Sequence, residues 1–443
     1  MKKRFLSLMV AALFCTVGLF AADREHTLKV YNWADYIDMD NVLNTFPAWY
    51  KAQTGEDVEV IYQTFDINES MLTQIEVGKE DYDVVCPSEY IIERMLKQNL
   101  LQRIQKELVP DSVNYFNNVA PFVAEKFQQI APEGIVAADY TVGYMGGTTG
   151  WLYNPKALYH NDIDESLLNS WAALTNPVFK NHIYVKDAFR DVYSVLVLYA
   201  YREELAEGRV TKEELMTDIN DERIARVENL LVEAKDNIAG WEVDFGKEEM
   251  TKGKMWLNLS WSGDAQWAIE QAEEVGIELK YIVPEEGSNV WYDGWVIPVY
   301  AKNPKAATFF IDYMCKPENA IYNMEEIGYV SVIATPEIFE WANDEEAYPE
   351  TVDASYFFGD IAKEAHLNPV QYPDIAVVNK CALMHDAGEQ TEALISMWNR
   401  VKGDNLSAGM MIFLILVIIC VIAYVIYILS KNKRHKVPKR FRR

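Results

Sequence analysis

Four short stretches of this chain carry side chains that could bind or process a ligand. "NWADY" sets Trp33 and Tyr36 around Asp35, and "SEY" places Ser88, Glu89 and Tyr90 in a row. "KDAFRDVY" brings two acids, Asp187 and Asp191, four positions apart, the spacing that shares one face of a helix. "NLSWSGD" ends an apolar run on Trp261. Rings beside carboxyls admit more than one chemistry. Paired acids with Trp to stack on sugars suit glycoside hydrolysis, but that reaction needs one carboxyl kept protonated as the acid, and no feature of the sequence selects one. An acidic protein also draws in cations. Taken singly, each helical acid has the alternative of a charge that favours the helix dipole, and each Trp that of core packing.

The elements that hold these stretches follow from periodicity. "TLKVYNW", "DVEVIYQTF" and "YDVVCPS" read as strands. The helices after them are "MDNVLNTFPAWYKAQTG", stopped by Gly55, "NESMLTQIEVGK", capped by Asn68, and "EYIIERMLKQNL". Strands this apolar, alternating with helices, predict a parallel sheet covered on both sides. Ligands of such sheets bind beyond the carboxyl ends of the strands. Trp33, Asp35 and Tyr36 stand at that end of the first strand, and Ser88, Glu89 and Tyr90 at that end of the third. Farther on, the Gly-rich "DYTVGYMGGTTGWLYN" and then "NVWYDGWVIPVYAKN" read as extended crossings to and from a second α/β lobe. The charged run "TKEELMTDINDERIARVENLLVEAKDNI" between them reads as a solvated helical face.

Charge and the two ends restrict the function further. Lys and Arg number 41 against 67 Asp and Glu, a formal net charge of -26. The first residues, Lys2, Lys3 and Arg4, lead an apolar stretch that ends at Ala21 and Ala22, as a secretory signal does. Residues 410–429 contain no charge and are long enough to cross a bilayer. The tail 430–443 carries basic residues and no acid, which places it in the cytoplasm. Because neither end holds an acid, the body between them is more acidic than the whole chain. That excludes nucleic acid and anionic lipid as partners of the body. Outside the two apolar ends, Cys86, Cys315 and Cys381 allow at most one disulfide, and buried free thiols are expected.

Catalytic motifs are absent. The chain has 6 His, none in an H-E-x-x-H spacing, and no G-x-S-x-G elbow. "GWEVDFGKE" has five residues between its glycines where a phosphate loop has four, and Glu248 stands where Ser or Thr would hold magnesium. No cofactor and no metal are expected, and the chain reads as no enzyme.

The blocks "LKVYNWADYI", "VEVIYQTFDINESMLTQI", "YDVVCPSEYIIERM", "DAFRDVY", "VWYDGWVIPVYAKN" and "EEIGYVS" resemble, in this order, the spermidine/putrescine-binding proteins of bacterial ABC transporters. The resemblance runs from about residue 27 to residue 402. It implies an α/β, two-lobed periplasmic binding-protein fold (type II-like) that closes on a polyamine, each lobe a mainly parallel sheet flanked by helices. It also implies aromatic walls from Trp33, Tyr36, Tyr90, Trp261, Trp291 and Tyr329, and polar ends from Asp35, Ser88, Asp191 and Asp293, with Glu89 and Asp187 as further candidates. These types suit the ligand: aromatic faces cover methylenes and attract ammonium groups, and carboxylates accept charge-assisted hydrogen bonds.

Three departures from the family stand out. Ala188 lies where spermidine-preferring members have an acid, Met384 lies about where a polar contact is expected, and family members do not usually carry a carboxyl-terminal membrane helix. The expected organisation is then a signal peptide at 1–22, a first lobe from 23–140 and 296–402, with 335–402 unassigned between lobes, and a second lobe at 141–295. A linker at 403–409, a transmembrane helix at 410–429 and a cytoplasmic tail at 430–443 complete it. The expected function is a polyamine receptor held at the outer face of the cytoplasmic membrane by that helix, with ABC permease subunits as partners. The alternatives are a receptor for another small cation or an amino-acid-like ligand, an extracytoplasmic sensor, or a carbohydrate-active enzyme.

Overall fold

A computed structural model of the chain describes residues 24–243 and 245–403, with Val417 and Tyr424. Two strands organise it. Thr141–Tyr153 and Asn289–Pro298 lie antiparallel at the centre of one twelve-stranded sheet. On one side the sheet continues through Val84–Val85, Thr27–Trp33 and Glu59–Phe65, the last two in parallel register from Thr27 opposite Glu59 to Trp33 opposite Phe65. On the other side it continues through Leu257–Trp261, Ile183–Lys186 and Ile238–Glu242, again parallel to one another. Each parallel set gathers its own core. One is built around Leu28, Val30, Val84 and Trp295, the other around Trp151, Trp171, Ile183 and Leu257. The central strands cross from one core to the other, so the molecule is a two-lobed α/β protein whose lobes meet where the strands change core.

Every residue of Asn289–Pro298 is buried, as a strand covered on both faces requires. Gly147 on the neighbouring strand is needed for a close approach. A Cβ there would clash with Ser262 Oγ and lie 2.7 Å from Cζ2 of Trp291, so only Gly leaves room for both side chains.

Several local expectations change. The first helix is not continuous: a single wide turn, Met39–Leu43, is capped by the Asp38 carboxylate, and an α-helix starts afresh at Phe46. Pro47 has no N–H to continue the turn before it but fits the first turn of a new helix. Gly55, at φ 76°, ends that helix. Asn68 is not a helix cap, because it lies inside the helix Asn68–Glu76 and its amide is used elsewhere. The helix after Lys186 begins at Phe189, so Asp187 precedes it and does not share a helical face with Asp191. The last described helix, Thr391–Gly403, packs Leu394, Met397, Trp398 and Val401 into the second core. The cysteines among the described residues, Cys86, Cys315 and Cys381, are free and buried.

The expected membrane anchor is corrected. Among the described residues no helix is long and apolar enough to cross a membrane. The segments read as signal peptide (1–22) and cytoplasmic tail (430–443) lie outside the described residues, as do all but two residues of 410–429. The described fold is the two-lobed body, and no single-pass carboxyl-terminal helix is found among the described residues.

Candidate functional site

A cavity of about 370 Å³ lies between the lobes at the carboxyl ends of the first and second strands. Asp293 is a buried acid of this cavity. Tyr36 Oη donates to Asp293 Oδ2 at 2.8 Å and Ser88 Oγ to Oδ1 at 2.6 Å. Both donors come from turns that leave parallel strands, and Asp293 comes from the crossing strand, paired with Ser88 by an isolated bridge. Burial pushes the Asp293 carboxyl up to about 7, against the two hydrogen bonds that favour its charge, and the nearby Asp191 pushes the same way as burial. Asp191 is held by Asn289 Nδ2 at 2.9 Å, and burial raises it to about 6. Positions 289, 291 and 293 fall on one face of the strand. Trp291 therefore stands between the residue that holds Asp191 and Asp293 itself.

Rings surround these acids. Tyr36 meets Tyr329 edge to face at 5.0 Å, and Trp291 lies 5.7 Å from Tyr329. Trp33 and Trp261 complete the wall on opposite lobes. Asn68 Nδ2 donates to Ser88 Oγ at 3.0 Å and to Tyr90 Oη at 3.1 Å, which fixes two cavity residues from the second strand's exit. Tyr90 in turn donates to Glu69 at 3.2 Å. Asp35 takes a left-handed φ of 47°, a conformation that Asp tolerates better than most residues. It reaches the cavity rim with its carboxylate exposed.

The cavity thus gathers Trp33, Asp35, Tyr36, Ser88, Tyr90, Asp187, Asp191, Trp261, Trp291, Asp293 and Tyr329, with the departures Ala188 and Met384 among its walls. Glu89 stands apart from it. Its side chain turns into the core, accepts the Tyr292 N–H at 3.1 Å, and is pushed well above the usual carboxylate range by burial. Asp187 sits at the rim, holding Trp398 Nε1 at 2.8 Å and paired with Lys402.

Sequence reasoning missed Asn68, Glu69, Arg190, Lys247 and Asp264. The first two had a usable signal, since they follow a strand as the clusters at Trp33 and Ser88 do. Asp264 had the same signal, three residues beyond the strand Leu257–Trp261, while Arg190 and Lys247 had none. Arg190 lies over the Tyr90 ring at 5.0 Å and donates to the His385 carbonyl. Lys247 and Asp264 meet through a buried cluster whose members are scattered from 186 to 264 in the chain.

Gly263 is the close neighbour that seats Tyr329, because a Cβ there would overlap the ring. Gly263→Ala is expected to displace Tyr329 and cost about 1–3 kcal/mol of stability, the range for overpacking. Urea unfolding checks it, and a loss well under about 0.5 kcal/mol, the scale of a surface substitution, would show that the ring moves aside freely.

A family model described as bacterial extracellular solute-binding protein matches residues 48–349. The spermidine/putrescine-binding periplasmic protein of Salmonella typhimurium is 29% identical over 357 residues, covering 79% of this chain and 91% of that protein. The putrescine-binding periplasmic protein of Escherichia coli is 25% identical over 347 residues, 76% of this chain and 86% of the relative. Among solved structures, a spermidine/putrescine ABC transporter substrate-binding protein from Streptococcus pneumoniae, in complex with calcium and HEPES, superposes with a TM-score of 0.58 at 25% identity. It covers 85% of this chain and 98% of its own.

Proposed function

The chain belongs to the bacterial extracellular solute-binding proteins, and from that premise we propose that its cleft captures a linear polyamine of the putrescine and spermidine class. The receptor hands this ligand to the permease subunits of an ABC importer and performs no chemistry on it. One observation carries the reading. Asp293 is buried among aromatic rings with both oxygens oriented by neutral hydroxyls, and no lysine or arginine pairs with it among the described residues. A carboxylate held so, with no countercharge of its own, is an acceptor for an incoming ammonium. Trp33, Trp291 and Tyr329 supply faces for the methylenes that follow and add cation-π attraction worth about 0.5–2 kcal/mol each.

Calorimetry against putrescine, spermidine, spermine, amino acids and sugars tests the assignment, with saturable binding expected for the polyamines. Asp293→Asn removes the charge but keeps the shape, and is expected to weaken that binding by about 1.5–3 kcal/mol, the range for a hydrogen bond to a charged group. Unaltered affinity in a folded variant would remove Asp293 from the ligand site. A second reading, an amino-acid-like zwitterion, draws on Arg190, whose Nε and Nη1 are buried without a hydrogen-bond partner. Binding of a basic amino acid in preference to every polyamine would establish that reading instead.

A further inference from the structure

The cavity's acids are not equivalent. Asp191 and Asp293 have no lysine or arginine partner among the described residues, whereas Asp264, buried in the same cavity, is already matched by two. Lys186 Nζ lies 2.6 Å from Asp264 Oδ2 and 3.1 Å from Glu242 Oε1, and Lys247 Nζ lies 3.4 Å from Asp264 Oδ1. Tyr329 Oη donates to that same Oδ1 at 2.9 Å. Two lysines and two carboxylates make this wall formally neutral.

The wall also uses the aromatic surface that a ligand cation would need. The Lys186 ammonium stands 4.5 Å from the Trp261 ring centroid, so the ring's attraction for a positive charge is engaged from within the protein. A carboxylate, a Trp and a Tyr hydroxyl together form a cation subsite. Here that subsite is filled by the chain's own amines. A ligand ammonium at Asp191 and Asp293 meets negative charge, but one extended toward Asp264 meets the ammonium groups of Lys186 and Lys247, and like charges in a desolvated cleft repel strongly.

Resting on the polyamine reading above, we propose that Lys247, backed by Lys186, sets the ligand's length. By occupying the Asp264 subsite it restricts the cleft to a diamine and disfavours triamines and tetraamines. Lys247 is the member to change, since it is the outer of the pair, with 13% of its side chain exposed against 0% for Lys186. Without it the cluster carries a net negative charge, and Asp264 Oδ1 is open to a third ammonium.

The test is calorimetry of the full chain and its Lys247→Met and Lys247→Gln variants with putrescine and with spermidine, folding being checked by circular dichroism. Lys402→Met is the control, because Lys402 lines the same cavity but pairs with Asp187 and not with Asp264. The unaltered protein is expected to bind putrescine more tightly than spermidine. Both Lys247 variants are expected to raise the affinity for spermidine relative to putrescine about tenfold, the scale of one relieved like-charge contact, while Lys402→Met moves both ligands by a common factor. An unchanged ratio in the Lys247 variants, or an equal change in ratio from Lys402→Met, overturns the assignment of Lys247 while leaving the polyamine reading standing. Binding of neither amine to the unaltered protein overturns both.

Discussion

Lys186→Met is expected to destabilise the folded protein by about 3–5 kcal/mol, the usual result of removing one member of a buried ion cluster. Lys186 is fully buried, with Asp264, Glu242 and the Val243 carbonyl around its ammonium. Those charges hold it above the ordinary lysine value even though burial alone would lower it. Met fills similar space but leaves Glu242 and Asp264 buried with only Lys247 to share. The loss therefore comes from two stranded carboxylates, not from a cavity. Its size should shrink as the pH falls, since Glu242 is already raised above the usual carboxylate range by burial and protonates readily. Urea unfolding at neutral and at mildly acid pH measures both effects. A loss below about 1 kcal/mol at neutral pH, the median for exposed pairs, would mean that the cluster is hydrated in solution.

Acidification from about pH 8 to about pH 5.5 is expected to weaken polyamine binding roughly 100-fold, with each pH unit below a group's pKa costing about a factor of ten. Burial sets Asp293 at about 7 and Asp191 at about 6 in the empty cleft. An ammonium binds the charged carboxylates, so below these values a proton must leave each acid before the ligand is held. Folding responds with the opposite sign. Both acids have a folded pKa above the ordinary Asp value of about 3.9, so the folded state holds more protons between about pH 4 and pH 7. For these two groups the empty protein gains stability as the pH falls through that window and loses it as the pH rises. Calorimetry in buffers of different ionisation heat would also register protons released on binding. Constant affinity across the range, with no proton release, would mean that the ligand touches neither acid.

The carboxyl-end rule for parallel sheets was enough to place Trp33, Asp35, Tyr36, Ser88 and Tyr90 at the cavity between the lobes, because a strand's direction and its last residue are both local properties. The two crossings were legible for a similar reason. Small residues on one strand and continuous apolar residues on the other leave an extended, fully buried path as the available structure. Trp291, Asp293 and Tyr329 needed the resemblance to known proteins, since nothing in their own neighbourhood separates them from core residues.

What the sequence by itself determined is thus the alternation of strand and helix, the division into two lobes, and the chemical character of a cleft rich in acids and rings. Only the tertiary structure decided how those acids are used. Glu89 is one residue from Ser88, yet its carboxyl turns into the core while Ser88 turns to Asp293. Asn68 has the composition of a helix cap but spends its amide on Ser88 and Tyr90. Lys186, Glu242, Lys247 and Asp264 come from separate elements and share no spacing, so that Asp264 is neutralised within the protein, while Asp191 and Asp293 have no lysine or arginine partner among the described residues. The physical reason is that a carboxylate's charge state and accessibility depend on burial and on partners brought from distant parts of the chain, and no local pattern of residues encodes either.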